Sequence, residues 1–297
     1  MQTGRYVITP GNELYPSLVE ELENPPELYV KGDPELLDTT TISIVGARLA
    51  TPYGLAVSEM AARISAESSI TVVSGGARGC DYAACRSALD SGGNIIIVSG
   101  VGADLIYPAE STDIFLDASD GRGAVVSIVP WGTEVHRFQF PQRNRIIAAF
   151  SRSTFVAEAG LKSGTISTAE TVMELGRNLY SVPGSIFSPN SSGTNKLIAD
   201  GAIIIRDEQD LEQAIARDYN LLRGIVHHEG VPRGEVLSAL FASPSRPREL
   251  SERLNQDVLT VIKTLSEYEV MGLVSKLPDG RYMPSKDAFL SHNRRER

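Results

Sequence analysis

The residues of this chain whose types and spacing could do chemistry are arginines and glycines, and the chemistry is anion binding. The segment Phe138-Gln139-Phe140-Pro141-Gln142-Arg143-Asn144-Arg145-Ile146-Ile147 lies in a run, Val135 to Ala157, with five Arg or His residues (His136, Arg137, Arg143, Arg145, Arg152) and no acid. In a chain of net charge −9, such a window marks a polyanion site. Guanidinium groups attract phosphate, and Phe138 or Phe140 offers a face on which an unpaired base could stack. An isolated arginine at a helix start would be read as merely solvated, but glycine-rich turns elsewhere point to the same ligand class. Gly46-Ala47-Arg48, Ser74-Gly75-Gly76-Ala77-Arg78-Gly79 and Gly100-Val101-Gly102-Ala103-Asp104 each follow a predicted strand. Without side chains there, backbone N–H groups can reach an anion, and Arg48 and Arg78 add charge. A fourth turn, Glu158-Ala159-Gly160-Leu161-Lys162-Ser163-Gly164-Thr165, brings Lys162 and the hydroxyls of Ser163 and Thr165 to a predicted helix start. Glu158 is expected to pair a nearby arginine and hold the pocket in shape.

Several chemistries drop out. No Gly-x-Gly-x-x-Gly fingerprint opens the first helix and there is no P-loop, which argues against NAD-linked chemistry and ATP hydrolysis. The two cysteines, Cys80 and Cys85, fit neither a redox pair nor a zinc site, and only four histidines exist, so no metal or cofactor is expected. No apolar run is long enough to span a membrane, and the N-terminus lacks a signal-peptide pattern, so a cytoplasmic location is expected. The acidic balance does not exclude a local basic groove for nucleic acid.

Short apolar strands alternating with amphipathic helices must position these turns. Strands are predicted at Ile42–Val45, Ile70–Ser74, Asn94–Ser99, Ala124–Val129, Ser153–Ala157, Asn178–Val182 and Ala202–Ile205. Helices are predicted at Pro52–Glu67, Asp81–Ser91, Gln142–Phe150, Thr165–Gly176 and Glu208–Ala216. The pattern predicts an α/β fold, an extended Rossmann-like, mostly parallel sheet with helices on both faces.

Residues 1–40 read as a short N-terminal extension broken by prolines, and 41–219 as the Rossmann-like domain. Residues 220–297 carry a net charge of +2, which leaves −11 to the part before them. Within this tail, Leu221–His227, Arg233–Phe241, Pro247–Leu254 and Val258–Tyr268 read as helices, followed by a hairpin around Pro278-Asp279-Gly280. Helices followed by a hairpin predict a small winged-helix domain. Its low charge and the acids Glu249, Glu252, Asp257 and Glu267 make a protein-interaction role at least as good a reading as duplex binding.

In their order along the chain these motifs resemble the DprA/Smf family (DNA-processing protein A). The resemblance rests on Ile44-Val45-Gly46-Ala47-Arg48, Ser74 to Asp81, and Gly100 to Tyr107-Pro108. It continues through Phe140-Pro141-Gln142-Arg143-Asn144-Arg145-Ile146-Ile147, Glu158-Ala159 with Ser163-Gly164 and Thr168-Ala169, Val182-Pro183-Gly184-Ser185, and Gly193 to Ala202. It covers about Leu14 to Asp207, and the tail is similar to the family's winged-helix domain. Departures are Ala47 for the usual Ser or Thr, Gly76 for the usual Leu, and Ala109-Glu110 where a basic residue is common. The N-terminal helical domain of many members is expected to be absent or reduced to a short extension.

The resemblance implies a non-enzymatic protein that binds single-stranded DNA and forms a homodimer. It also implies loading of the RecA recombinase onto imported DNA in natural transformation (competence) and homologous recombination. The DNA site it implies uses Arg48, Arg137, Phe140, Arg143 and Arg145. With the glycine turns and the loop before the helix, the candidate set is Arg48, Gly75, Gly76, Arg78, Arg137, Phe140, Arg143, Asn144, Arg145, Lys162, Ser163, Gly164 and Thr165. The rival reading is a nucleotide-processing enzyme of the same fold, resembling nucleoside-monophosphate phosphoribohydrolases, with Glu158, Arg78 and Ser163-Gly164-Thr165 as its residues. Against that reading stand Glu-Ala-Gly in place of Pro-Gly-Gly, the Arg-Asn-Arg block and the winged helix. A nucleotide-sensing or defence-linked role is a third possibility.

Overall fold

The computed structural model describes residues 4–221 and 234–290. The chain divides into two units, Met1–Arg223 and Gly224–Arg297. The first unit runs β1 (Gly4–Ile8), α1 (Ser17–Glu20), β2 (Leu28–Gly32), β3 (Thr41–Val45), α2 (Pro52–Glu67), β4 (Thr71–Ser74), α3 (Cys80–Asp90), β5 (Ile95–Val98) and α4 (Thr112–Asp117). It continues with β6 (Gly123–Ser127), α5 (Gln139–Phe150), β7 (Ser153–Val156), α6 (Gly164–Glu174), β8 (Asn178–Ser181), α7 (Ser192–Ala199), β9 (Ile203–Ile204) and α8 (Glu208–Asp218).

These strands form one sheet in the order β1-β2-β6-β5-β4-β3-β7-β8-β9. It is parallel from β6 to β9, while β1 and β2 join one edge antiparallel. Every residue of β3 is buried, and its alternation separates two helical layers. Ile42 and Ile44 pack with Val57, Ala61, Ala84, Phe115 and Ile215, drawn from α2, α3, α4 and α8. Val45 packs on the other face with Val19, Ile147, Ile166 and Leu197, from α1, α5, α6 and α7. Burying each such aliphatic side chain stabilises the fold by about 1.5–3 kcal/mol. Ser43 shares the second face and is tolerated there because its hydroxyl donates to the Ile147 carbonyl at 2.7 Å.

From β3 the chain moves outward through β4, β5 and β6, and then returns to β7 on the other side of β3. The carboxyl ends of β3 and β7 therefore flank a topological switch point, where open α/β sheets bind ligands.

The mostly parallel sheet with helices on both faces is the architecture that the alternating pattern predicts. Differences fall where the local signal is weak. Residues 1–40, read as an extension, contribute β1 and β2 to the sheet, with Gly4 to Ile8 registered against Gly32 to Leu28. Strand β1 is buried only at Ile8, so it has no apolar run to announce it. Helices α4 and α7 were not expected, because α7 begins Ser-Gly-Thr-Asn, residues that read as a turn. Helix α5 starts at Gln139, three residues earlier than its periodicity indicates.

In the second unit, α9 (Glu235–Ala242), α10 (Pro247–Leu254) and α11 (Val258–Val270) precede β10 (Val274–Lys276), β11 (Tyr282–Pro284) and α12 (Lys286–Leu290). The two strands pair antiparallel, and Ser245 adds a bridge to Tyr282. Val236, Leu240, Leu250, Val261, Leu265 and Val274 form its core. The helix expected at Leu221–His227 lies, beyond Leu221, outside the described residues.

Candidate nucleic-acid interface

The turn after β3 is held from three directions. A Cβ on Gly46 would meet Cys80 Sγ at 2.6 Å, so glycine lets this turn lie against the start of α3. Gly79, at φ +78°, brings its own Cα close to the Ala47 carbonyl, where a Cβ would come within 2.3 Å. On the far side, the Glu158 carboxylate accepts from Thr51 N (2.8 Å) and Thr51 Oγ1 (2.6 Å). Thr51 caps α2 in turn, accepting from Gly54 N at 3.2 Å. Glu158 is 2 % exposed, and burial raises its pKa against the lowering effect of the Thr51 bonds. The expectation that Glu158 pairs an arginine is corrected: its hydrogen-bond partner is Thr51, because β7 delivers it beneath the α2 cap.

Arg143 projects from α5 into the same region. It is 4 % exposed; its Nη1 donates to the Val98 carbonyl at 3.2 Å, and its Nε has no hydrogen-bond partner among the described residues. Burial pushes its pKa down to about 10, Asp81 opposes that and Arg48 adds to it, so the guanidinium is charged at neutral pH. Asp81 accepts from Gly75 N at 3.1 Å. Burial raises the Asp81 pKa, opposed by Arg143 and by backbone N–H groups including that of Gly75.

A pocket of about 440 Å³ opens at this point between β3 and β7. Of the residues proposed from sequence, Arg48, Arg143, Asn144, Ser163, Gly164 and Thr165 line it. Asn144 Nδ2 reaches the Gly164 carbonyl at 3.4 Å, and Thr165 Oγ1 donates to the Gly46 carbonyl at 3.0 Å, closing the turns on one another. Ser163 caps α6 by accepting from Thr165 N at 3.2 Å, so its hydroxyl serves the helix first. Gly75 lies against Arg143, while Gly76, at φ +66°, faces Ile97 and Phe115 and shapes the turn.

The remaining candidates stand outside the lining. Arg137, Arg145 and Lys162 are exposed on flanking segments. Arg78 is exposed and sits 3.8 Å from Glu110, a surface contact of small energetic weight. Phe140 is half-buried, with the Arg48 and Arg143 guanidinium carbons 5.4 and 5.7 Å from its ring centroid. Sequence reasoning missed Asp81, Thr168 and Asn190 as lining residues. Asp81 and Thr168 stood within the quoted motifs, but nothing in their spacing marked them as facing the crevice.

A doubly wound sheet whose switch-point crevice holds a buried charged arginine, an exposed arginine and glycine turns defines a Rossmann-like protein with a cationic crevice. The chain belongs to the DNA recombination-mediator protein A family, whose sequence profile matches residues 6–216. It is 29% identical over 289 residues to Protein Smf of Escherichia coli, covering 94% of this chain and 77% of that protein. It is 36% identical over 201 residues to DNA processing protein DprA of Streptococcus pneumoniae, covering 67% and 71%. The solved structure of the S. pneumoniae protein superposes with a TM-score of 0.65 at 34% identity, covering 71% of this chain and 74% of that one. DNA processing protein A of Helicobacter pylori, solved to explain its single-stranded DNA binding mode, gives a TM-score of 0.65 at 30% identity, covering 73% and 98%.

Proposed function

We propose that this protein binds single-stranded DNA in the crevice between β3 and β7 and loads RecA recombinase onto it, acting in natural transformation and homologous recombination. The observation that carries this reading is Arg143, a buried cation whose Nε has no hydrogen-bond partner among the described residues, in a pocket walled by Arg48 and the start of α6. Asp81 opposes part of its burial cost, and the Nε left without a hydrogen bond suits an anion entering the crevice. The likeness to the H. pylori protein, whose single-stranded DNA binding was described, supports DNA as that anion. A single strand is favoured over a duplex because the crevice is a local cationic feature of a chain with net charge −9, unsuited to coating a long double helix.

The protein works as a binder without enzymatic turnover, as a cytoplasmic homodimer. The rival enzyme reading relies on Glu158 facing the ligand, whereas both Glu158 oxygens are engaged by Thr51. The second unit has the helix and hairpin order of a winged helix. Its helix α11 exposes Leu259 and Ile262 rather than a basic face, which favours a protein partner over duplex DNA.

Fluorescence anisotropy with a labelled single strand and the matching duplex tests the DNA reading. Tighter, strongly salt-dependent binding to the single strand is expected, and equal affinity for both would sink it. RecA loading is tested by RecA filament assembly on strands coated with single-strand-binding protein, which this protein should accelerate.

A further inference from the structure

The loop leading into α5 carries a feature that the crevice does not explain. The rings of His136 and Phe138 stack with centroids 5.5 Å apart and planes 15° from parallel, and Phe138 is 65 % exposed. Phe140 is placed differently. Besides the two guanidinium groups near its ring, Tyr107 lies 5.9 Å away, and a Cβ on Gly100 would meet the ring at 2.8 Å. The ring inside the Phe-Pro-Gln-Arg-Asn-Arg block is engaged in seating two arginines. Phe138 is the ring left open.

This loop is fixed in place. Gly102 N donates to the Thr133 carbonyl at 2.9 Å, and Gly132 N to Asp104 Oδ1 at 2.8 Å. Buried Gln139 closes it: its Oε1 accepts from His136 N at 2.7 Å, and its N–H donates to the His136 carbonyl at 3.1 Å. From β1, Arg5 pairs with Asp104 at 3.2 Å and lies 5.1 Å from the Trp131 ring centroid. Single exposed apolar residues are ordinary on protein surfaces. Two rings stacked in a pinned loop, with exposed Arg137 between them in the sequence and no acid from Val135 to Ala157, form a prepared surface. An aromatic face beside a cation suits an unpaired base of any identity with its phosphate, since every base has a π-face.

We propose that the His136–Phe138 stack is a further base-stacking platform for the bound single strand, beside the crevice, with Arg137 holding the adjoining phosphate. This inference rests on the single-stranded DNA reading above and adds a ring outside the crevice to it.

The full chain and its Phe138→Ala and Phe138→Trp variants are titrated with a thymidine oligonucleotide, with an abasic strand of equal length, and with a strand carrying 2-aminopurine. Phe138→Ala should weaken binding to the thymidine strand about tenfold while leaving abasic binding unchanged. It should also remove the quenching of 2-aminopurine, and Phe138→Trp should restore both. Unchanged thymidine affinity in Phe138→Ala, or equal loss on both strands, overturns the platform. So does intact DNA binding with slowed RecA assembly, which would assign these rings to a protein partner. If the wild-type protein binds neither strand, the DNA reading itself fails, and the platform with it.

Discussion

The Arg143 guanidinium fills the space that a side chain at position 75 would need: its Nη1 lies 1.7 Å from the point where a Cβ on Gly75 would sit. Asp81 Oδ2 is 2.6 Å from that same point, so the second glycine turn is a saddle between a buried cation and a buried carboxylate. Glycine here makes room for a side chain, while its own N–H is taken by Asp81.

Gly75→Ala should therefore act through Arg143. Forcing a methyl group into this saddle costs about 1–3 kcal/mol by overpacking and displaces the guanidinium from the crevice. The melting temperature should fall, and single-strand affinity should fall with it by about tenfold or more. Binding equal to wild type in a variant that still folds would show that Arg143 is not held by this contact.

Arg48 and Arg143 should separate binding from stability. Arg48 is exposed, so Arg48→Ala should leave the melting temperature unchanged while weakening all sequences alike. The slope of log affinity against log salt should drop by about 0.7, the value for one phosphate contact to a single strand. Arg143→Ala leaves Asp81 buried without its compensating cation, a loss of about 3–5 kcal/mol on top of the lost contact. Thermal melts and salt titrations of both variants check this, and a strongly destabilised Arg48→Ala would contradict it.

Much of this was legible because parallel strands buried on both faces write continuous apolar runs, as at Ile95 to Val98, and because glycine turns after them mark the ligand edge. Strand β1 was not legible, because Gly4-Arg5-Tyr6-Val7 is an edge strand whose partners come from β2, 24 residues on from Gly4. The different surroundings of Phe138 and Phe140 could not be read from sequence either. Both are aromatic residues beside arginines, and only the packing of Tyr107, Gly100, Arg48 and Arg143 around Phe140 separates them. Glu158 was misread for a related reason. A carboxylate near arginines in sequence suggests an ion pair, but the register of β7 beside β3 brings it to Thr51 instead.

Glu158→Ala should disturb the Arg48 turn without touching DNA directly. It removes both acceptors that hold Thr51 at the α2 cap, at a cost of about 1–2 kcal/mol. A lowered melting temperature and a modest loss of single-strand affinity should appear together. Wild-type protein incubated with nucleoside monophosphates should release no free base. Release that disappears in Glu158→Ala would revive the enzymatic reading.

At the opposite end of the sheet, Asp218 gathers α8 onto the amino ends of β7 and β8. Its carboxylate accepts from Asn178 Nδ2 at 3.0 Å, from the Tyr180 hydroxyl, and from Arg217 Nε at 2.6 Å. Burial alone would raise its pKa; the bonds from Arg217 and Tyr180 outweigh that and hold it below the ordinary 3.8. A carboxylate with a depressed folded pKa adds stability above its unfolded pKa, and this is lost as pH falls through the folded value. Wild type should thus melt higher than Asp218→Asn above 3.8, with the gap closing as the pH is lowered further. Melting curves of both proteins between about pH 3 and pH 7 read this difference directly, free of the other carboxylates that titrate alike in each. A gap that stays constant with pH would mean that Asp218 holds α8 by shape and hydrogen bonding, with no contribution from its charge.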